Sequence, residues 1–192
     1  MKHISLSLVI TLFFSIVYPS VNGQPVDDRI NAAKAQLTAM DKQRLSVIEQ
    51  LENLKLERIR GKLKEIGLPT AMPGEQVIEH SAYILSYSEE HEQARWVTHM
   101  IIPDIIHGVV FRTNDFRPDP LVKTGSAVEE DYFLKKLKPD STYLYDGFGY
   151  DRGHLAPSAD FRWSAKALSE SYYYSNMSPQ LADFNRGSWG DR

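Results

Sequence analysis

From about Asp28 to Ile66, apolar residues return at alternating three- and four-residue steps: Ile30, Ala33, Leu37 and Met40, then Val47, Leu51 and Leu54. This spacing keeps a heptad-like stripe on one side of an α-helix, with charged residues beside it. Arg44 interrupts the stripe, and Ile59, Leu63 and Ile66 continue it out of phase. No proline or glycine intervenes before Gly61. The pattern predicts one amphipathic helix, on the order of 55 Å long at 1.5 Å per residue. Such a helix has two uses. It can join two copies as a coiled-coil arm, or it can pack on its own domain. Gly67-Leu68-Pro69 ends it, and Pro73-Gly74 marks a linker.

Past the linker the pattern becomes β-branched and aromatic. Tyr83 to Tyr87, Trp96 to Ile102 and Gly108 to Arg112 are predicted strands. Asn114 to Pro120 is predicted loop, and Asp140 to Tyr150, rich in aromatics and glycine, is predicted irregular. Ser164 to Ser171 predicts a short helix with Ser164 as its cap. Tyr172 to Asn176 predicts a strand, and a last helix starts between Leu181 and Asn185. The fold class is therefore α+β.

The N-terminus carries a different pattern. Lys2 and His3 precede the apolar run Ile4 to Val17, which has the length of a secretory signal's core and is short for a membrane span. Cleavage near Gly23 or Gln24 is expected. The chain then divides into a signal peptide over 1–23, a long helix over 24–68 and a domain over 75–192. A secreted or periplasmic protein is expected, with no integral membrane association once the signal is removed.

Composition narrows the function. The chain has 192 residues, 42% hydrophobic and 24% charged, with a formal net charge of −3. A charge-driven coat on nucleic acid needs a basic balance, so that class is disfavoured. A local cationic cleft is not. With no cysteine, disulfides, thiolate zinc sites and thiol nucleophiles are excluded.

The chemistry concentrates in Gly149-Tyr150-Asp151-Arg152-Gly153-His154-Leu155-Ala156-Pro157. In extended backbone Arg152 and His154 fall on one face. There an arginine fork can grip a phosphate while an imidazole takes a proton from water. The other five histidines, His3, His80, His91, His99 and His107, have no such context. An asparagine such as Asn185 offers an amide oxygen to a hard cation that keeps most of its waters. Residue chemistry alone does not single it out.

Three blocks occur in order: Tyr150 to Asp160 (YDRGHLAPSAD), Ser175 to Gln180 (SNMSPQ) and Asn185 to Gly190 (NRGSWG). With them the chain resembles the DNA/RNA non-specific endonuclease family from about Tyr83 onward. The resemblance implies a ββα-metal nuclease fold with a central antiparallel sheet, here preceded by the long amphipathic helix. It implies Mg²⁺, with Mn²⁺ as a substitute, and DNA and RNA as substrates cut to 5′-phosphate and 3′-hydroxyl ends. His154 matches the general base and Asn185 the direct metal ligand. Arg152 takes a phosphate or structural role, Asp151 a positioning role, and Asn176 a supporting one. Arg112 lies five residues before Arg117 in Phe116-Arg117-Pro118-Asp119 and matches the arginine that offsets transition-state charge, with Arg117 as the fallback. The family places a glutamate eight residues after the metal-binding asparagine. Here that is one position past Arg192, so the domain reads as C-terminally truncated.

Two other readings follow from that departure. One is a catalytically weak or inactive nuclease-like protein that binds nucleic acid without cutting. The other is a remnant that does not fold. Homodimerisation through the N-terminal helix is compatible with the nuclease and with the non-cutting protein.

Overall fold

The computed structural model describes residues 24–189. The expected signal peptide lies outside them. Among the described residues no helix is long and apolar enough to cross a membrane.

Helix α1 spans Val26–Ile66. Asp27 and Asp28 in its first turn and Lys64 in its last complement the helix dipole. Gly67 follows at φ +100°, a left-handed backbone that costs glycine nothing and stops the helix. Contacts divide the chain into two units, meeting between Val47 and Ile48. In the first, the described residues are exposed throughout.

In the second unit α1 is anchored by Leu56, Ile59 and Leu63, all buried. Their steps of three and four make a short apolar face. Leu56 joins a core with Tyr83, Leu85, Tyr87, Phe161 and Tyr172, while Ile59 and Leu63 pack with Ile84. The packed-helix reading therefore holds for this part of α1. Ile66 is exposed and takes no part.

The central sheet is antiparallel in the order β1 (Gln76–Glu79), β2 (Tyr83–Ser88), β3 (Gln93–His99). Every residue of β2 is buried, as a middle strand covered on both faces requires. Strands β4 (Phe133–Leu137) and β5 (Tyr143–Phe148) form an antiparallel pair with a bulge. Strands β6 (Asp151–His154) and β7 (Met177–Gln180) form another. Helix α2 (Ala165–Glu170) is capped by the Ser164 hydroxyl, which accepts from the Ala167 amide.

Four expectations need correction. The strand placed at Trp96 to Ile102 starts and ends earlier, because Pro103 opens a 3-10 turn over Pro103–His107. Gly108 to Arg112 forms no strand. The Val110 amide bonds to the Arg162 carbonyl, and the segment lies so close that a Cβ on Gly108 would meet Arg162 Cβ at 2.6 Å. Val110 packs at the edge of the core, while Val109 and Phe111 are exposed, so the segment joins no ladder. Asp140 to Tyr150, expected irregular, contains β5. Tyr172 to Asn176 contains a 3-10 turn, Tyr174–Asn176, and the strand follows it as β7. Pro179 lacks an amide donor and masks that strand in the sequence. The last helix begins at Ala182 and is π-helical over Phe184–Trp189, where the described residues end.

Candidate active site

The Asp-Arg-Gly-His run is the whole of β6, so its side chains alternate between two faces. Its register is Asp151 to Gln180, Arg152 to Pro179, Gly153 to Ser178 and His154 to Met177.

One face carries Arg152 and His154. The Arg152 guanidinium lies 4.1 Å over the Phe116 ring, and the His154 ring is 5.8 Å from the same ring. Tyr172 meets His154 edge-on at 4.9 Å. The Tyr172 hydroxyl accepts from the Thr113 amide at 3.2 Å, which fixes the backbone next to Arg112. Arg112 itself is exposed, and its charge reaches His154. Burial first, and the Arg112 charge second, push the His154 imidazole down to about 3. The ring is therefore neutral near pH 7, as a proton acceptor must be.

That shift has a consequence for stability. The folded state resists protonation of His154, whereas the unfolded chain protonates near an ordinary histidine value of about 6.5. The stabilisation is complete above that value and is lost as pH falls from about 6.5 toward 3. We expect the melting temperature to drop more steeply between about pH 7 and 5 in the native chain than in His154→Asn. Thermal melts followed by circular dichroism test this, and parallel curves would count against a buried neutral imidazole.

Arg152 also donates to Glu129 Oε1 at 2.8 Å and to the Tyr174 hydroxyl. These contacts brace β6 against the turn at Glu129–Tyr132. A Cβ on Gly153 would lie 2.0 Å from Gln180 Cδ, so a larger residue there would displace the Gln180 side chain.

The other face carries Asp151. Its carboxylate accepts from Asn185 Nδ2 at 3.0 Å and from Arg186 Nε and Nη2 at 2.8 and 2.6 Å. The Arg186 bond is the largest cause that holds the Asp151 carboxyl below the usual carboxylate range. Because the Asn185 nitrogen is the end that faces Asp151, its Oδ1 is the end left to face a cation. Among the described residues no group of three or more His, Cys, Asp or Glu gathers to hold a metal. A single amide oxygen suits a hydrated hard cation.

Asn176 is fully buried and clamps the turn after His154. Its Oδ1 accepts from the Ala156 amide, and its Nδ2 donates to the carbonyls of Ala156 and Ser171. Arg117 ties its loop to the neighbouring turn. It donates to Asp115 Oδ2 at 2.6 Å and to the carbonyl and hydroxyl of Ser169 at 3.0 Å, and it lies 4.2 Å over the Tyr173 ring.

The sequence reading missed one group entirely. His80 Nε2 lies 2.8 Å from Asp119 Oδ2, both side chains are buried, and the Ser175 hydroxyl donates to the same oxygen. Burial pushes the Asp119 carboxyl up, yet His80 and then Ser175 outweigh it and hold the group below the usual carboxylate range. Its Oδ1 accepts from the Leu121 amide. Asp119 thus fastens the loop carrying Arg117 to the turn leading into β7. Thirty-nine residues separate His80 from Asp119, so no local motif announced the pair.

Known proteins share this arrangement of elements. Residues 60–191 match the family described as DNA/RNA non-specific endonuclease. Human mitochondrial endonuclease G is 33% identical over 132 residues, covering 68% of this chain and 39% of that protein. Mouse mitochondrial nuclease EXOG is 35% identical, covering 66% and 31%. A nuclease of Nostoc sp. is 32% identical, covering 64% and 41%. The chain thus spans about two-fifths of these relatives' length or less. A crystal structure of the EndoG/EndoGI complex, concerned with EndoG inhibition, superposes with a TM-score of 0.52 at 27% identity. The match covers 68% of this chain and 49% of that one. The α+β architecture, a long helix and an antiparallel sheet, is that of an EndoG-like ββα-metal nuclease. The comparisons correct the expected secreted or periplasmic location. Relatives from human and mouse are mitochondrial nucleases, and the Nostoc relative is bacterial. An apolar run in a sequence reports hydrophobicity, not destination.

Proposed function

Because the chain belongs to the DNA/RNA non-specific endonuclease family, we propose that it hydrolyses phosphodiester bonds of DNA and RNA with the help of Mg²⁺, for which Mn²⁺ substitutes. The observation that best supports this reading is strand β6, which presents a buried neutral His154 on one face and, through Asp151, an oriented Asn185 on the other.

In this mechanism His154 accepts the proton of the attacking water. Tyr172 and Phe116 hold its ring and exclude bulk solvent from it. Arg112 faces the charge that builds on the phosphoryl oxygens. Asn185 Oδ1 would hold the cation. Asp151 fixes the amide so that oxygen, not nitrogen, is presented, and Arg186 offsets the Asp151 charge. When bound, Mg²⁺ would supply Lewis-acid polarisation of the phosphate and charge stabilisation for the leaving oxygen. Arg152, Asn176 and Arg117 keep β6 and the Arg112 loop in place. Recognition through the phosphate backbone makes activity salt-sensitive and weakly dependent on sequence.

The test is cleavage of supercoiled plasmid and of RNA by the purified chain. Cutting of both in Mg²⁺, abolished by EDTA, is expected. Cutting that persists in EDTA would remove the metal from the mechanism. Retained binding of both without cutting would replace this reading by that of a non-cutting nucleic-acid-binding protein. We also propose that the heptad stripe of helix α1 joins two copies of the chain.

A further inference from the structure

Among the described side chains two phenylalanines, Phe111 and Phe184, are exposed, and no tyrosine or tryptophan is. Each comes one residue before a group proposed to act on the phosphate, Arg112 and Asn185. Phe111 is the more exposed, at 78% against 48%. Its backbone is held nonetheless. The Val110 amide donates to the Arg162 carbonyl at 3.0 Å, and Arg162 Nε donates to the Val110 carbonyl at 3.3 Å. On the other side of Phe111, the Thr113 amide donates to the Tyr172 hydroxyl. Val110 turns toward the core, whereas Val109 and Phe111 stay in water. The ring is therefore carried on a fixed segment and covered by nothing. A single exposed apolar residue needs no explanation by itself. The charges around this one set it apart.

Arg112 is exposed and Arg162 is half-buried, and among the described residues neither is paired with a carboxylate. Three carboxylates lie near them in the sequence, and each is turned to another group. Asp104 pairs with Lys55, Asp115 with Arg117, and Asp160 with His99. The segment ending at Arg112 thus presents an aromatic ring beside two uncompensated cations. An apolar protein partner seated on the ring would desolvate those guanidiniums without giving them a counter-charge. A nucleic-acid strand supplies both needs, a base for the ring and phosphates for the arginines.

We propose that Phe111 stacks on a base next to the phosphate that Arg112 faces, and that the site therefore takes unpaired nucleotides in preference to duplex. This rests on the reading of Arg112 as the group facing the scissile phosphate and adds what the neighbouring residue does. In a duplex both faces of a base are covered by its neighbours, so the ring can stack only after a base has been unstacked. In a single strand that cost is smaller, and the ring gains a partner directly. Every base has a π-face, so the contact adds affinity without reading sequence. That agrees with a family described as non-specific.

The test reads binding in EDTA, where hydrolysis is not expected, from the fluorescence anisotropy of labelled DNA added to the full chain. Three probes are compared: a single strand, its duplex, and a strand of equal length built from abasic residues. Phe111→Ala is expected to weaken binding of the single strand by about 5- to 150-fold, the worth of one stacked base. Phe111→Trp should restore it. The loss should be smaller on the duplex and absent on the abasic strand, because neither offers a free base face. A merely structural role for Phe111 would lower all three alike. Equal losses on the three probes, or none on the single strand, would overturn the stacking and leave the ring to a protein partner. A native chain that binds no oligonucleotide would overturn it too. Plasmid cleavage in Mg²⁺ reports on the nuclease reading separately. A native chain that cuts, with Phe111→Ala binding the single strand as the native chain does, refutes the stacking alone. A base-dependent loss in a chain that cuts nothing refutes the hydrolysis alone.

Discussion

His154→Ala is expected to reduce cleavage of plasmid DNA by about 10²- to 10⁴-fold, the contribution typical of a positioned general base. His154 lies on β6, held between Phe116 and Tyr172 and kept neutral by burial. A base in that state needs no deprotonation step near pH 7. Removing it leaves the Arg112 charge and the Asn185–Asp151 pair in place, so substrate affinity should change little while turnover collapses. The check is steady-state cleavage of a defined oligonucleotide. A matched loss in affinity and turnover would point to a disrupted fold, which the far-UV spectrum resolves. A variant that retains more than about a tenth of native turnover would remove His154 from the chemistry.

The second large effect is expected at Asn185. Asn185→Ala deletes the amide oxygen proposed to hold the cation, and cation affinity should fall by about 100-fold or more, beyond the loss of a supporting group. Asp151→Ala keeps the oxygen but frees the amide to rotate, and the loss typical of a supporting group is about 10- to 100-fold. Calorimetric titration with Mn²⁺ separates binding from turnover. Native-like affinity in Asn185→Ala would place the cation elsewhere. Asp151→Asn should not recover the affinity lost in Asp151→Ala, since a neutral amide at that position cannot balance the Arg186 charge.

The placement of the Asp-Arg-Gly-His run on one strand was legible because it is local. Asp151, Arg152, Gly153 and His154 lie on four consecutive positions, and strand alternation alone sends Arg152 and His154 to one face. Ser164 was legible as a cap, because capping is decided within one turn. The strands were less so. Gly108 to Arg112 has β-branched residues but runs along Arg162, and no local pattern encodes whether a partner strand is present. Pro179 disguised β7, which tolerates it at an edge position facing Arg152.

The sequence by itself determined the heptad stripe of α1, the α+β class, the absence of thiol chemistry and the blocks that carry the family resemblance. Each depends on residue type at short separation. Only the tertiary structure decided what distant residues do to one another. It buried His80 against Asp119, set Arg186 on Asp151 and Glu129 on Arg152, and enclosed His154 between Phe116 and Tyr172. It also chose Leu56, Ile59 and Leu63 as the face that α1 packs on its domain. Burial and charge pairing depend on distance in space, and chain folding makes that distance unrelated to separation along the sequence.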